Sequence, residues 1–243
     1  MIPHIIHYGW FGHASKPRLI QKCIASWKKY HPDWEIIEWN ETNYNINKIP
    51  YTRDAYARKK WAFVVDYARF DILNEYGGVF LDTDVELLRP IPDKMLEHEA
   101  FTGFENEGSV APGLIYASIP GQRMLQNIIT MYQEKAFSTE ETIVNIVSSI
   151  LKEHGMVDNN TRQTIDGVVV YPKEYFCCFD QEARMFETTK ETISIHHYLA
   201  SWVPWHRKLR FKCIKCAARI LGKERYLKWK RKIKRKDNAG SKE

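Results

Sequence analysis

The chain of 243 residues has no apolar run near the ~20 residues that a membrane span requires. Its start, Met1-Ile2-Pro3-His4-Ile5-Ile6-His7, lacks the basic beginning and cleavage site of a secretory leader and reads as a first strand. The expectation is a cytoplasmic chain without a membrane-spanning helix. Cysteine is scarce: Cys23, Cys177, Cys178, Cys213 and Cys216, a number that fits a reducing compartment. Cys213 and Cys216 form a lone C-x-x-C with no second pair at zinc spacing, so they read as two thiols on one helix face. Internal repeats and long low-complexity linkers are missing too. What is present is 44% hydrophobic and 27% charged residues, the balance of a globular protein with one large domain. Aromatics are plentiful, with eight Trp and thirteen Tyr. They are ordinary core filler and also the material of ring-stacking sites.

The net charge of +6 is unevenly spread. Residues 207–236 hold fifteen Lys/Arg against the single acid Glu224, whereas residues 1–206 carry a net −7. This marks an acidic body and a basic tail. In residues 206–236 apolar positions such as Leu209, Cys213, Cys216, Ile220, Leu227 and Ile233 recur near helical spacing among the basic ones. A basic amphipathic helix reads as a membrane-surface element. A nucleic-acid contact and a solvated tail are the other readings.

The body alternates strand and helix signals. Strands are expected at Ile2–Tyr8, Trp34–Trp39, Val79–Leu81 with Val85–Leu88 as its continuation, Ala100–Phe104, Gly113–Ala117, Gly167–Tyr171 and Thr192–His197. Helices are expected at Pro17–Tyr30, Trp61–Tyr76, Gln122–Gln133 and Thr139–Glu153. This order predicts an α/β fold with a mixed, mostly parallel sheet. Ligands bind such sheets beyond the carboxyl ends of the strands. Domain boundaries are expected at 1–205 for the α/β domain, 206–236 for the basic helical tail and 237–243 for a disordered end.

Residues 77–86, Gly-Gly-Val-Phe-Leu-Asp-Thr-Asp-Val-Glu, put Asp82 and Asp84 at a strand tip. Asp-x-Asp in that position suits a hard divalent cation bound together with substrate phosphates. On the preceding helix Asp66 and Arg69 share a face among Val64, Val65, Ala68, Ile72 and Leu73. They are either a structural ion pair or a sugar and phosphate contact. Tyr8-Gly9-Trp10-Phe11-Gly12 follows the first strand, and Trp10 is placed either to stack on a nucleobase or to pack the core. After the last strand come His196, His197, Ser201 and Trp202, a source of metal ligands and hydrogen-bond donors or a surface turn. Glu105 and Glu107 are spare carboxylates, either acceptor contacts or a solvated loop.

In this order the motifs resemble the Asp-x-Asp sugar-binding glycosyltransferases of glycosyltransferase family 32. That group includes yeast-type initiating α-mannosyltransferases and bacterial capsule or lipopolysaccharide enzymes, with the clostridial glucosylating toxins more distant. The resemblance rests on residues 2–12, residues 62–84, Pro112-Gly113-Leu114-Ile115-Tyr116-Ala117, and His196-His197 through Ser201-Trp202. It implies a single Rossmann-like nucleotide-diphospho-sugar transferase domain of the GT-A class, with Mn²⁺ or Mg²⁺ as cofactor. Asp84 would coordinate the cation and Asp82 would hold it through water or contact the ribose. His197 would join the metal shell, with His196 beside it as the other candidate for the metal–diphosphate. Asp66 and Arg69 would bind the donor sugar, Trp10 the base with Tyr8 nearby, and Ser201 and Trp202 the departing phosphate. The partners implied are a nucleotide-sugar donor, UDP-sugars first and GDP-mannose second, and a glycan or lipid-linked acceptor. An anionic membrane surface would meet the tail at the inner face of the cell membrane, with no nucleic acid. The reaction would retain anomeric configuration, by front-face attack, since no residue stands out as a covalent nucleophile.

Asp82-Thr83-Asp84-Val85 also fits, superficially, the Asp-x-Asp strand end of the phosphatase/mutase superfamily, where the first Asp is the nucleophile. That motif normally sits on a first strand, and it leaves Asp66 and Arg69 unexplained. A nucleic-acid-binding module acting through the tail leaves the carboxylates of the body without purpose.

Overall fold

The computed structural model describes residues 1–180, 182, 185–199 and 205–230. Two compact units emerge: residues 1–177 with Lys190–His197, and Cys178–Thr189 with the chain from Tyr198 onward. In the first unit the strands are β1 (Ile5–Gly9), β2 (Glu35–Trp39), β3 (Gly78–Phe80), β4 (Val85–Leu87), β5 (Ala100–Asn106), β6 (Ser109–Val110), β7 (Tyr116–Ser118), β8 (Gln163–Ile165) and β9 (Val168–Tyr171). Its helices are α1 (Arg18–Tyr30), α2 (Pro50–Ala57), α3 (Trp61–Tyr76), α4 (Asp93–Leu96), α5 (Arg123–Glu134), α6 (Ile143–Glu153) and α7 (Lys173–Phe176). The second unit has β10 (Phe179–Asp180), β11 (Met185–Phe186) and α8 (Trp205–Leu221), while β12 (Ser194–His196) returns to the first unit.

The main sheet has the order β2-β1-β3-β7-β5-β9-β8, with β6 on β5. Strands β2, β1, β3, β5 and β9 run one way and β7, β8 and β6 the other, so the α/β fold is mixed and mostly parallel, as expected. Val64 and Phe70 of α3, Leu125 and Ile128 of α5 and Val147 of α6 share one buried core with Phe80, Tyr116 and Val170 of the sheet.

Helix α3 feeds β3 with no loop between them. Gly77 caps the helix at φ 65° and Gly78 follows at φ 98°, conformations that side chains resist. Space demands glycine there as well. A Cβ at Gly77 would fall 2.9 Å from the Ser118 carbonyl, and one at Gly78 2.8 Å from that of Ile5.

The central strands are clamped by His7, which is fully buried. Its Nδ1 accepts from the Trp39 indole at 3.1 Å, so its Nε2–H donates to the Gly77 carbonyl at 2.9 Å. Burial pushes its pKa down to about 4, against the smaller opposing pull of that carbonyl, and the ring is neutral at physiological pH.

Three expectations are revised. Val85–Leu87 does not continue β3. The chain turns at the aspartates, with Val85 N–H donating to Asp82 O at 3.0 Å, and β4 pairs antiparallel with β12 outside the main sheet. The strand expected at Gly113–Ala117 starts at Tyr116, because residues 111–114 form a turn closed by Leu114 N–H to Ala111 O at 3.0 Å. Helix α6 starts at Ile143 rather than Thr139, with Thr142 as its cap accepting from Asn145 N–H.

The second unit holds a small apolar cluster of Ala218 and Tyr226, with Leu227 and Met185 against it. Lys223 sits between Asp180 at 2.7 Å and Glu187 at 2.6 Å. Leu209, Ile220, Leu221 and Trp229 are exposed. No helix among the described residues is long and apolar enough to cross a membrane.

Candidate metal and donor-sugar site

The carboxyl ends of β1, β2 and β3 lie side by side, tied by Trp10 N–H to Trp39 O at 2.8 Å and Leu81 N–H to His7 O at 3.1 Å. Beyond β3 the backbone reverses, and Asp82 and Asp84 are carried on the turn. The β4–β12 ladder then brings in a residue from far along the chain. His196 pairs with Val85 in register, and its Nε2 lies 2.9 Å from Asp84 Oδ1. Asp82, Asp84 and His196 each offer a ligand atom within 4.8 Å of the others. Two carboxylates and an imidazole at this spacing suit Mn²⁺, and Mg²⁺ with more water in its shell. Burial depresses the His196 pKa, but Asp84 outweighs it, with help from Asp82 and Glu105, and the net shift is upward.

The position of His197 differs from the expectation for a metal ligand. Its Nε2 lies 2.8 Å from Glu86 Oε2, and Lys22 approaches the same carboxylate at 2.8 Å. Neighbouring residues on a strand point to opposite faces, so only one of two adjacent histidines reaches a given side. Here that one is His196.

Behind Asp82 sits Arg69, whose side chain is 1% exposed. Its Nη2 donates to Asp82 Oδ1, and its Nη1 lies 3.9 Å from Asp66 Oδ1. The guanidinium also lies 5.1 Å from the Phe80 ring centre, in cation–π range. Nε and Nη1 of Arg69 have no hydrogen-bond partner among the described residues. Arg69 thus meets Asp82 from a buried position. Asp66 is more accessible, at 16% exposure. Burial pushes its pKa up to about 7; Arg69 pulls it down and Asp82 pushes it up. The buried Tyr51 and Tyr132 feel the Asp66 charge and stack edge-on at 4.9 Å. Neither was singled out in the sequence, since tyrosine in an apolar pattern reads as core.

Tyr8 is 6% exposed and faces inward. Its hydroxyl donates to Glu38 at 2.6 Å and its ring meets Trp27 edge-on. It supports the site rather than lining it. Glu38 also receives Lys16 at 2.7 Å, and Lys16 stands 5.6 Å above the half-buried Trp10. The Trp10 indole N–H donates to Ala14 O at 2.7 Å. Glu105 is half-buried and Glu107 exposed. Ser201 and Trp202 lie outside the described residues.

Residues 17–102 match the family described as a glycosyltransferase sugar-binding region containing the DXD motif. Inositol phosphoceramide mannosyltransferase 1 of Schizosaccharomyces pombe is 29% identical over 109 residues, 41% of this chain and 33% of that protein. The subversion of eukaryotic traffic protein A of Legionella pneumophila is 26% identical over 117 residues, 37% of this chain and 18% of that protein. The chain thus spans a third or less of the length of these curated relatives. Among solved structures, the galactosyltransferase LgtC in complex with donor and acceptor sugar analogues aligns at TM-score 0.49 and 13% identity over 87% of this chain and 95% of that one. A glycosyltransferase involved in glycosylation of the major capsid of PBCV-1 aligns at TM-score 0.49 and 12% identity over 88% and 100%.

The fold is α/β and the site is of the Asp-x-Asp kind. The chain is thus similar to Asp-x-Asp glycosyltransferases of the family-32 type, with the match to the sugar-binding region across residues 17–102.

Proposed function

We propose that the chain is a metal-dependent, retaining transferase that moves a hexose or N-acetylhexosamine from a nucleotide sugar to a glycan or lipid-linked acceptor in surface polysaccharide synthesis. UDP-sugars are the favoured donors and GDP-mannose the second. The observation that carries this is the convergence of Asp82, Asp84 and His196 next to the Asp66–Arg69 pair. A divalent cation bound there, Mn²⁺ or Mg²⁺, supplies Lewis-acid stabilisation of the departing diphosphate. Asp84 and His196 hold each other in place, Arg69 fixes Asp82, and Asp66 accepts hydrogen bonds from donor-sugar hydroxyls. Trp10 offers its ring to the base. Asp82 and Asp84 serve as cation holders rather than nucleophiles, which fits front-face attack by the acceptor hydroxyl. Residues 1–205 form the catalytic domain in this reading. Residues 206–236 are the basic tail in the same reading.

A panel of UDP- and GDP-sugars, incubated with the full chain and Mn²⁺, tests the proposal. Turnover of one donor, abolished by a chelator and restored by Mn²⁺ or Mg²⁺, is the expected result. Release of phosphate from phosphomonoesters, with no sugar nucleotide turned over, would point to the phosphatase reading instead.

The tail of net charge +14 in residues 207–236 suits anionic lipid at the inner face of the cell membrane, each nearby basic residue contributing ~1 kcal/mol. The exposed Leu209, Ile220, Leu221 and Trp229 fit the same surface. The chain is expected to sediment with anionic liposomes and to lose this on truncation after Trp205 while keeping turnover on soluble acceptors. Undiminished sedimentation of the truncated chain removes the membrane role.

A further inference from the structure

Gly113 lies buried in the turn between β6 and β7, with its carbonyl accepting from Asp82 N–H at 3.2 Å. Its φ is not in the left-handed region that favours glycine, so backbone conformation does not call for glycine here. Space does. A Cβ at this position would fall 2.3 Å from Asp82 Oδ2 and 3.0 Å from Asp82 Cγ. The other oxygen, Oδ1, is already taken by Arg69. The carboxylate is therefore held between a guanidinium on one side and a bare stretch of main chain on the other.

We propose that Gly113 is a positioning residue for the metal site: its missing side chain leaves the space that lets Asp82 face Asp84 and His196. The inference rests on the reading of these three groups as the cation site. Adding one methyl forces the short Asp82 side chain to turn. That turn moves a ligand oxygen away from the other two and from Arg69, while the surrounding core stays as it is. Groups that orient ligands typically change metal affinity by about 10- to 100-fold when altered.

The test is Mn²⁺ titration of the full-length chain, read by tryptophan fluorescence without nucleotide, alongside thermal melts of the metal-free protein. Gly113→Ala is expected to weaken Mn²⁺ binding about tenfold or more, with a far smaller relative effect on the metal-free melt. In an Asp82→Ala background the same substitution is expected to leave the remaining Mn²⁺ affinity unchanged. Equal affinity of wild type and Gly113→Ala overturns the positioning role and leaves the cation site standing. Absence of Mn²⁺ binding by the wild type overturns both. If Gly113→Ala does not fold, the double variant with Asp82→Ala decides. Recovery of the fold supports the contact, because the methyl then has room, and continued failure overturns it.

Discussion

Asp84→Ala is expected to lower the proposed sugar transfer by about three orders of magnitude or more, with the fold intact. The size follows from the chemistry. A leaving nucleoside diphosphate carries developing charge, and loss of about 4 kcal/mol of its stabilisation corresponds to about a thousandfold in rate. Asp84 is 13% exposed and its carboxylate is shared with His196 at 2.9 Å. Alanine removes a ligand and leaves the imidazole without this partner, so the site loses both its charge and its alignment. Little of the core rests on this residue, because it is on a turn whose strands pair through the backbone. Asp84→Asn is the control. Its amide oxygen still accepts from His196, so melting should match the wild type while Mn²⁺ affinity and transfer both fall. Initial rates across a Mn²⁺ series measure the effect. A variant that keeps wild-type rates at low Mn²⁺ would remove Asp84 from the metal shell.

Arg69→Ala is expected to combine loss of the proposed transfer with a fold destabilised by about 3–5 kcal/mol at pH 8, the usual result of deleting one partner of a buried ion pair. Two carboxylates depend on this guanidinium, Asp82 directly and Asp66 at 3.9 Å. Asp66 adds a pH dependence of defined sign. Its carboxyl is raised to about 7 in the folded chain, against about 4 when unfolded. Between those limits the native state holds a proton that the unfolded state releases, so stability falls as pH rises through the window. Since Arg69 pulls this pKa down, its removal deepens the penalty above pH 7 and matters less near pH 5, where Asp66 is neutral in both chains. Denaturant titrations of wild type and variant at pH 5 and pH 8 give the comparison. Equal losses at the two pH values would show that the Asp66 charge has no share in the importance of Arg69.

Local signals carried much of this protein into view. Helix α3 was bounded by its apolar pattern and by Gly77, and β3 by the short run that precedes Asp82. Asp66 and Arg69 were visible as neighbours because helix spacing puts them on one face. Their relation to Asp82 was not, since no pattern says which carboxylate a buried guanidinium prefers. The choice between His196 and His197 depends on how β12 pairs with β4, about 110 residues earlier in the chain. Strand alternation predicts that one of the two points at the aspartates, and only the register decides which. Helix α2 has little signature in the sequence, because Pro50 and the short segment after it give a weak apolar period. The close approach of Gly113 to Asp82 has no local signature at all, for an empty space leaves no mark on sequence except the residue that fills it least.

The two-glycine joint between α3 and β3 has a consequence for how a donor is measured. Asp66 and Asp82 stand on one unbroken run of backbone, a helix and a strand welded at Gly77 and Gly78 against the carbonyls of Ser118 and Ile5. In the proposed site the interval between the sugar contact and the diphosphate contact is thereby set by one helix and one strand, like the spacing of marks on a ruler. His196, by contrast, comes from a separate strand. In the proposed site, then, the α3–β3 side is one continuous piece of chain and the β12 side a separate one, joined to the aspartates through its ladder with β4.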